Sequence, residues 1–192
     1  MKPVIIQNKI QRNFLRLFFN FDKWHITPLE ERKYALDIID YCNGLELRKY
    51  FVEIGCGLGD IIRNVQFNIR VAYDNDKRIL KAASFLSKRQ PGGKIQFKQF
   101  NFPESELPDR ANVIVMVNWI HLIEPVLLSA QIRKYFAENL EPQGQIIIDT
   151  VQDKEYKFNH NIHFLTDGLS CKTFKIGAYD REREIWAIIK EK

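Results

Sequence analysis

The residues best placed by type and spacing to do chemistry lie in the run Glu53-Ile54-Gly55-Cys56-Gly57-Leu58-Gly59-Asp60. Three alternating glycines let the backbone take conformations closed to other residues and approach a ligand closely. The apolar run Tyr50 to Ile54 precedes them and Asp60-Ile61-Ile62 follows as the start of a short helix. Strand, glycine turn and helix in that order form a nucleotide crevice. The dinucleotide fingerprint Gly-x-Gly-x-x-Gly wants its third glycine where this chain has Asp60. Carboxylates at Glu53 and Asp60 repel a pyrophosphate and suit a cofactor that carries an ammonium and a sulfonium. The alternative is a glycine-rich turn that binds nothing.

Further candidates sit at the ends of other apolar runs. Asp74 closes Arg70 to Asp74 and lies 19 residues after Gly55, the distance at which a carboxylate meets a ribose in such folds. Asp76 reads as the N-cap of the next helix. Asn101-Phe102 follows a third run, and Asn118-Trp119-Ile120-His121 a fourth. Ligands of open α/β sheets sit beyond the carboxyl ends of strands, so Asn118 and His121 belong near a substrate. His121 has the pKa range of a general base, with a histidine packed behind the crevice as the alternative reading. Asp149, near the end of a fifth run, is the second candidate base.

These residues need a mostly parallel sheet to hold them. Strands are expected at 50–54, 70–74, 95–100, 111–117 and 145–150, with two more at about 171–178 and 184–190 forming a hairpin. A short helix is expected over about 59–66, one after Asp76 ending at Pro91-Gly92-Gly93, and a long one from Pro125 to Leu140. Residues 151–168 read as irregular. Near the start, Thr27 fits an N-cap, Pro28 the first helical position and Glu30 a capping box, for a helix running to Asn43 and stopping at Gly44. Trp24 and His25 precede it, in a segment able to close over a cofactor; the commoner reading is a Trp packing anchor and a surface His.

Residues 3–21 form an amphipathic pattern, with Ile6, Ile10, Phe14, Leu17, Phe18 and Phe21 on one side and Lys9, Arg12, Arg16 and Asn20 on the other. The expectation is a helix packed by its apolar side with a solvated basic face. The alternative is a lid, or a surface attracted to an anionic substrate or membrane.

The 192 residues suit one sizeable core, and 45% hydrophobic with 28% charged residues is ordinary for a soluble protein. A net charge of +5 permits an anionic partner without requiring one. Cys42, Cys56 and Cys171 are odd in number and widely spaced. They give neither a disulfide framework nor metal-ligand spacing, so no metal is expected and a reducing cytoplasm is. No signal peptide or membrane-spanning run is evident.

The Glu53-x-Gly55-x-Gly57-x-Gly59 run resembles the first motif of the class I S-adenosylmethionine (SAM)-dependent methyltransferases, acid-x-Gly-x-Gly-x-Gly. The resemblance covers roughly residues 45–190. It implies a Rossmann-like, doubly wound seven-stranded mixed sheet with the last strand inserted antiparallel. Residues 1–44 then form an N-terminal helical cap and 45–192 the methyltransferase domain. It implies a cofactor site of Glu53, Gly55, Cys56, Gly57, Gly59, Asp74, Asn75, Asn101, Phe102 and Asn118. Asp74 would accept from both ribose hydroxyls. Asn101 stands where the family often has an acid for the adenine amine, and is otherwise an Asn in an ordinary turn. Trp119 and Ile120 replace the two prolines of the tetrapeptide found in amino-methylating nucleic-acid enzymes. The chain is similar to small bacterial methyltransferases, some linked to surface glycans, which implies a small, sugar-like acceptor and no stable nucleic-acid partner. Rival functions are an RNA-directed methyltransferase and a non-catalytic SAM-binding module, with a dehydrogenase disfavoured by Asp60.

Overall fold

The computed structural model describes residues 3–88 and 94–191. Seven strands form one sheet: β1 Tyr50–Ile54, β2 Ile69–Asp74, β3 Ile95–Gln99, β4 Ala111–Met116, β5 Leu140–Thr150, β6 Cys171–Tyr179 and β7 Arg183–Lys190. Their order is β3-β2-β1-β4-β5-β7-β6. The first five run parallel, and β7 lies antiparallel between β5 and β6. This is the seven-stranded mixed sheet expected. The order reverses between β1 and β4, the place where an open α/β sheet leaves its ligand crevice.

Every residue of β4 is buried. Ile114 and Met116 enter a core shared with α4 (Pro125–Lys134) and α5 (Ile162–Thr166), while Val113 and Val115 enter one shared with α2 (Lys33–Asn43). Such two-sided burial explains the unbroken apolar run Val113 to Val117 in the middle of the sheet. α3 (Lys77–Ser87) begins at Asp76, whose side chain accepts from the Arg78 backbone N–H, as a cap should. The Pro91-Gly92-Gly93 stop lies outside the described residues.

Besides α5, a short helix within the stretch 151–168 that was expected to be irregular, four elements depart from expectation. The helix placed at 28–43 is broken. Lys23–Ile26 and Leu29–Glu31 are separate 3₁₀ turns, and the α-helix starts only at Lys33. Thr27 caps nothing there, because its carbonyl accepts from Arg12 and the chain turns at Arg32 to send that side chain inward. Residues 59–66 form a string of turns instead of a helix. They include Arg63 N–H to Gly59 O at 3.0 Å and Asn64 N–H to Ile61 O at 2.9 Å. The long helix from Pro125 ends at Lys134 in a π-type turn, Tyr135–Asn139, and β5 starts at Leu140, five residues early.

The fourth departure is α1 (Pro3–Phe19), which is turned over. Arg12 and Leu15 are buried against the domain, while Ile10, Phe14, Leu17 and Phe18 face outward. Phe21, just past the helix, is buried as expected, and the Ile6 side chain lies outside what is described. The inversion follows from charge. Asp60 is buried, and a buried carboxylate needs cations more than the helix needs its phenylalanines covered. No helix among the described residues is long and apolar enough to cross a membrane.

Candidate functional site

The site begins where β1 ends. Gly55, Gly57 and Gly59 have φ of 74°, 53° and 72°, so all three occupy the left-handed region that favours glycine. Two of them are also pressed by side chains of this same protein. A Cβ on Gly55 would lie 2.2 Å from the Trp119 indole nitrogen, and one on Gly57 would lie 2.9 Å from His25 Nδ1. Trp119 is held there by donating to Ile54 O at 2.7 Å and by an edge contact with Phe102. The indole therefore lies across the turn from the β4 side and the imidazole from the cap.

Four of the loop's backbone donors are already used. Gly55 and Cys56 N–H both donate to Tyr73 O, at 2.8 and 2.9 Å, and Gly59 N–H donates to Cys56 O at 2.8 Å. Gly57 N–H donates to Asp74 at 2.9 Å. A phosphate-binding loop presents such groups to its ligand, and these four are turned into the protein. What the turn presents is carboxylate. Asp74, at the end of β2, receives two backbone N–H groups, the second from Asp76 at 3.1 Å. Two of about four lone-pair directions on an ionised carboxylate then remain for other donors. Burial raises its pKa, against these hydrogen bonds and the neighbouring His25. Burial also pushes the Glu53 carboxyl up to about 8, although Glu53 accepts from Ile62 N–H at 2.9 Å.

Asp60 has a different role from the one its type implied. It is buried and paired with three guanidinium groups: Arg12 at 2.7 Å, Arg63 at 2.5 Å, and Arg32. With its charge answered threefold, Asp60 is no barrier to an anion. The discrimination against pyrophosphate rests on the occupied backbone donors. Arg12 also donates to Thr27 O at 3.0 Å, so Asp60 pins both α1 and the cap turn to the glycine loop.

Beyond β4, Asn118 takes a positive φ of 68°. Its backbone N–H donates to Asp149 at 2.9 Å and its side-chain oxygen accepts from Arg183 at 3.0 Å. Asp149 is fully enclosed, with its other oxygen paired to Arg183 at 2.8 Å. It fixes Asn118 and has no open path to a substrate, so its second-choice role as base gives way to a positioning one. His121 lies in the 3₁₀ turn Ile120–Leu122, partly buried, its ring centroid 4.1 Å from that of Tyr156. Its Nδ1 is buried with no hydrogen-bond partner among the described residues. Burial lowers its pKa, opposed in part by Asp149, so the imidazole is neutral at pH 7.

The remaining candidates are less engaged. Asn75 and Asn101 are exposed, and Asn101 meets Ser105 through its backbone, its N–H donating to the Ser105 hydroxyl at 3.0 Å and its carbonyl accepting from Ser105 N–H at 2.8 Å. Cys56 is buried, and burial raises its thiol pKa. Glu53, the glycines, Cys56 and Asp74 thus share one turn, and Asn118, Asp149 and Arg183 form a second group at the end of β4. His121 stands apart, under the loop that carries Tyr156. Sequence reasoning missed Trp119 as the cover of Gly55, Arg183 as the partner of Asp149, and all three arginines on Asp60. Only Arg63, three residues on, left a local signal.

No protein-family model matches the chain, and no curated protein matches its sequence. Solved structures do match in shape. The N-methyltransferase NodS from Bradyrhizobium japonicum WM9, bound to S-adenosyl-L-homocysteine, superposes with a TM-score of 0.71 at 17% identity, over 96% of this chain and 98% of its own. Magnesium protoporphyrin IX methyltransferase from Synechocystis PCC 6803, bound to SAM, gives 0.67 at 12% identity, over 94% and 97%. The amino pentose methyltransferase CalS10 from Micromonospora echinaspora gives 0.64 at 10%, over 91% and 94%. The strand order, the glycine turn at its reversal and these superpositions give the chain the fold of the SAM-dependent methyltransferases.

Proposed function

We propose that this protein is a SAM-dependent methyltransferase acting on a small hydroxyl-bearing acceptor of the sugar type. One observation carries the reading: the carboxyl groups of Glu53 and Asp74 flank the turn after β1, while the N–H groups of Gly55, Cys56, Gly57 and Gly59 are bonded inside the protein. That suits a cofactor whose reactive end is cationic and whose ribose offers hydroxyl donors. The superposed structures that hold SAM or its demethylated product support the same cofactor. Glu53 would meet the ammonium, Asp74 the ribose hydroxyls, and Asn101 and Phe102 the adenine. Gly55, Cys56, Gly57, Asn75 and Asn118 would line the crevice, with Gly59 shaping its turn. The 1–44 cap would cover it through His25.

The cofactor would supply an electrophilic methyl group on a sulfonium. Transfer from sulfonium disperses charge, so the protein's part is orientation and exclusion of water. His121, neutral at pH 7, would take the proton of an acceptor hydroxyl. The three free cysteines agree with a cytoplasmic setting. Incubation of labelled SAM with a metabolite extract tests the reading. Label should pass to a small polar product in a protein-dependent way. Label passing only to added RNA would favour an RNA-directed enzyme, and no transfer despite SAM binding would favour a regulatory module.

A further inference from the structure

The outward face of α1 has no counterpart in the methyl-transfer reading. Ile10, Phe14, Leu17 and Phe18 recur at helical spacing and are 66%, 68%, 81% and 73% exposed. Trp24, in the turn that follows, is 72% exposed. A contiguous run of large side chains left in water marks an interaction surface. The inner face is no rival for these residues, because Arg12 is committed there to Asp60 and Leu15 to the core with Ile79.

Charge identifies the partner. Phe19 links α1 to α3 through Phe85, ring centroids 6.3 Å apart, and Lys81 and Lys88 line the same shallow groove. Residues 3–21 and 77–88 together carry Lys9, Arg12, Arg16, Lys77, Arg78, Lys81 and Lys88 and no acid. Arg12 is buried on Asp60, Lys9 pairs with Glu31 and Arg78 with Asp76, which leaves Arg16, Lys77, Lys81 and Lys88 to meet a partner. With a whole-chain charge of +5, seven positive charges here leave −2 for the remainder. A second copy docking face to face would bring Arg16, Lys81 and Lys88 against themselves, which like-charge repulsion opposes. We infer that α1 lies in the plane of an anionic membrane surface, with Phe14, Leu17 and Phe18 among the acyl chains and Arg16, Lys77, Lys81 and Lys88 at the headgroups.

Co-sedimentation of the full chain with vesicles tests this. Vesicles of phosphatidylcholine with about a third phosphatidylglycerol should carry the protein down, and pure phosphatidylcholine should not. Leu17→Glu with Phe18→Glu should weaken binding by about tenfold or more, since a charge replaces each buried side chain. Arg16→Glu, which leaves the apolar face intact, should weaken it by about fivefold or more and make it less salt-dependent. Leu17 and Phe18 are exposed and Arg16 is half-buried at the surface, so circular dichroism and melting should match the wild type. Failure of the wild type to sediment with anionic vesicles would overturn the inference. So would equal binding to neutral vesicles, or binding indifferent to both variants. A wild-type dimer in light scattering that Leu17→Glu with Phe18→Glu disperses would assign the face to a second copy instead.

Discussion

Each carboxylate of the glycine turn is set by what surrounds it. Asp74 is held by two backbone donors and has acceptor capacity to spare. Two ribose hydrogen bonds to it are worth roughly 1.5–3 kcal/mol. Asp74→Ala should weaken SAM about 10- to 100-fold, read by calorimetry. Asp76→Ala should instead lower the melting temperature through a lost cap of about 1 kcal/mol. Glu53 gives a pH signature. Burial raises its carboxyl to about 8, so it is protonated at neutrality in the free protein. A cationic ligand favours the carboxylate, so SAM affinity should climb with pH and level off above about 8. The fold itself should respond in the opposite sense. A folded pKa above the unfolded 4.5 contributes stability that is full below 4.5 and is lost as pH rises through about 8. Glu53→Gln should flatten both profiles. At His121, alanine should slow transfer by about 10²–10⁴-fold with SAM affinity unchanged. With its pKa lowered by burial, the wild-type rate should hold to below pH 6.5 before falling. Full activity per folded molecule in His121→Ala would leave the residue a purely structural role. The motif residues were legible because glycines and a carboxylate recur there at a short fixed spacing. Trp119 was not, since it reaches Gly55 from a separate part of the chain; of His25 only a segment able to close over a cofactor was legible, and not its contact with Gly57.

The elements differ in how they could be read. Strands such as β4 declare themselves through composition, because a strand buried on both faces must be apolar throughout. The cap could not be read that way. Its orientation is set by one buried ion cluster whose members, Arg12, Arg32, Asp60 and Arg63, are spread over some fifty residues. Periodicity ranked the two faces of α1 by hydrophobicity, and the cluster reversed the ranking. The same demand for Arg32 broke the helix expected from Pro28. Removing one side of such a cluster costs more than the cluster contributes. Asp60→Asn should therefore destabilise the protein by about 3–5 kcal/mol, leaving three guanidinium groups without a counter-charge. Arg12→Ala should act more locally, speeding protease cleavage within residues 3–32 while the sheet melts near its usual temperature. Equal cleavage rates in wild type and Arg12→Ala would show that the ion pair does not hold the cap.

Across the whole molecule, the sheet reverses direction between β1 and β4, and the glycine turn, Asp74 and Asn118 gather at that one end. The cap reaches the same end through Asp60. Parallel order and the terminal hairpin were legible in the sequence, since alternating strand and helix patterns leave few topologies. The acceptor was not, because loops such as 151–161 are polar and carry no period to read. The central claim is that this crevice takes a cationic adenosyl cofactor and not a pyrophosphate. Calorimetric titration of the pure protein with SAM, S-adenosylhomocysteine and NADH tests it directly. Saturable binding of SAM and its demethylated product at one site, with no heat from NADH, is the expected result. Saturable binding of NADH with no response to SAM would contradict it.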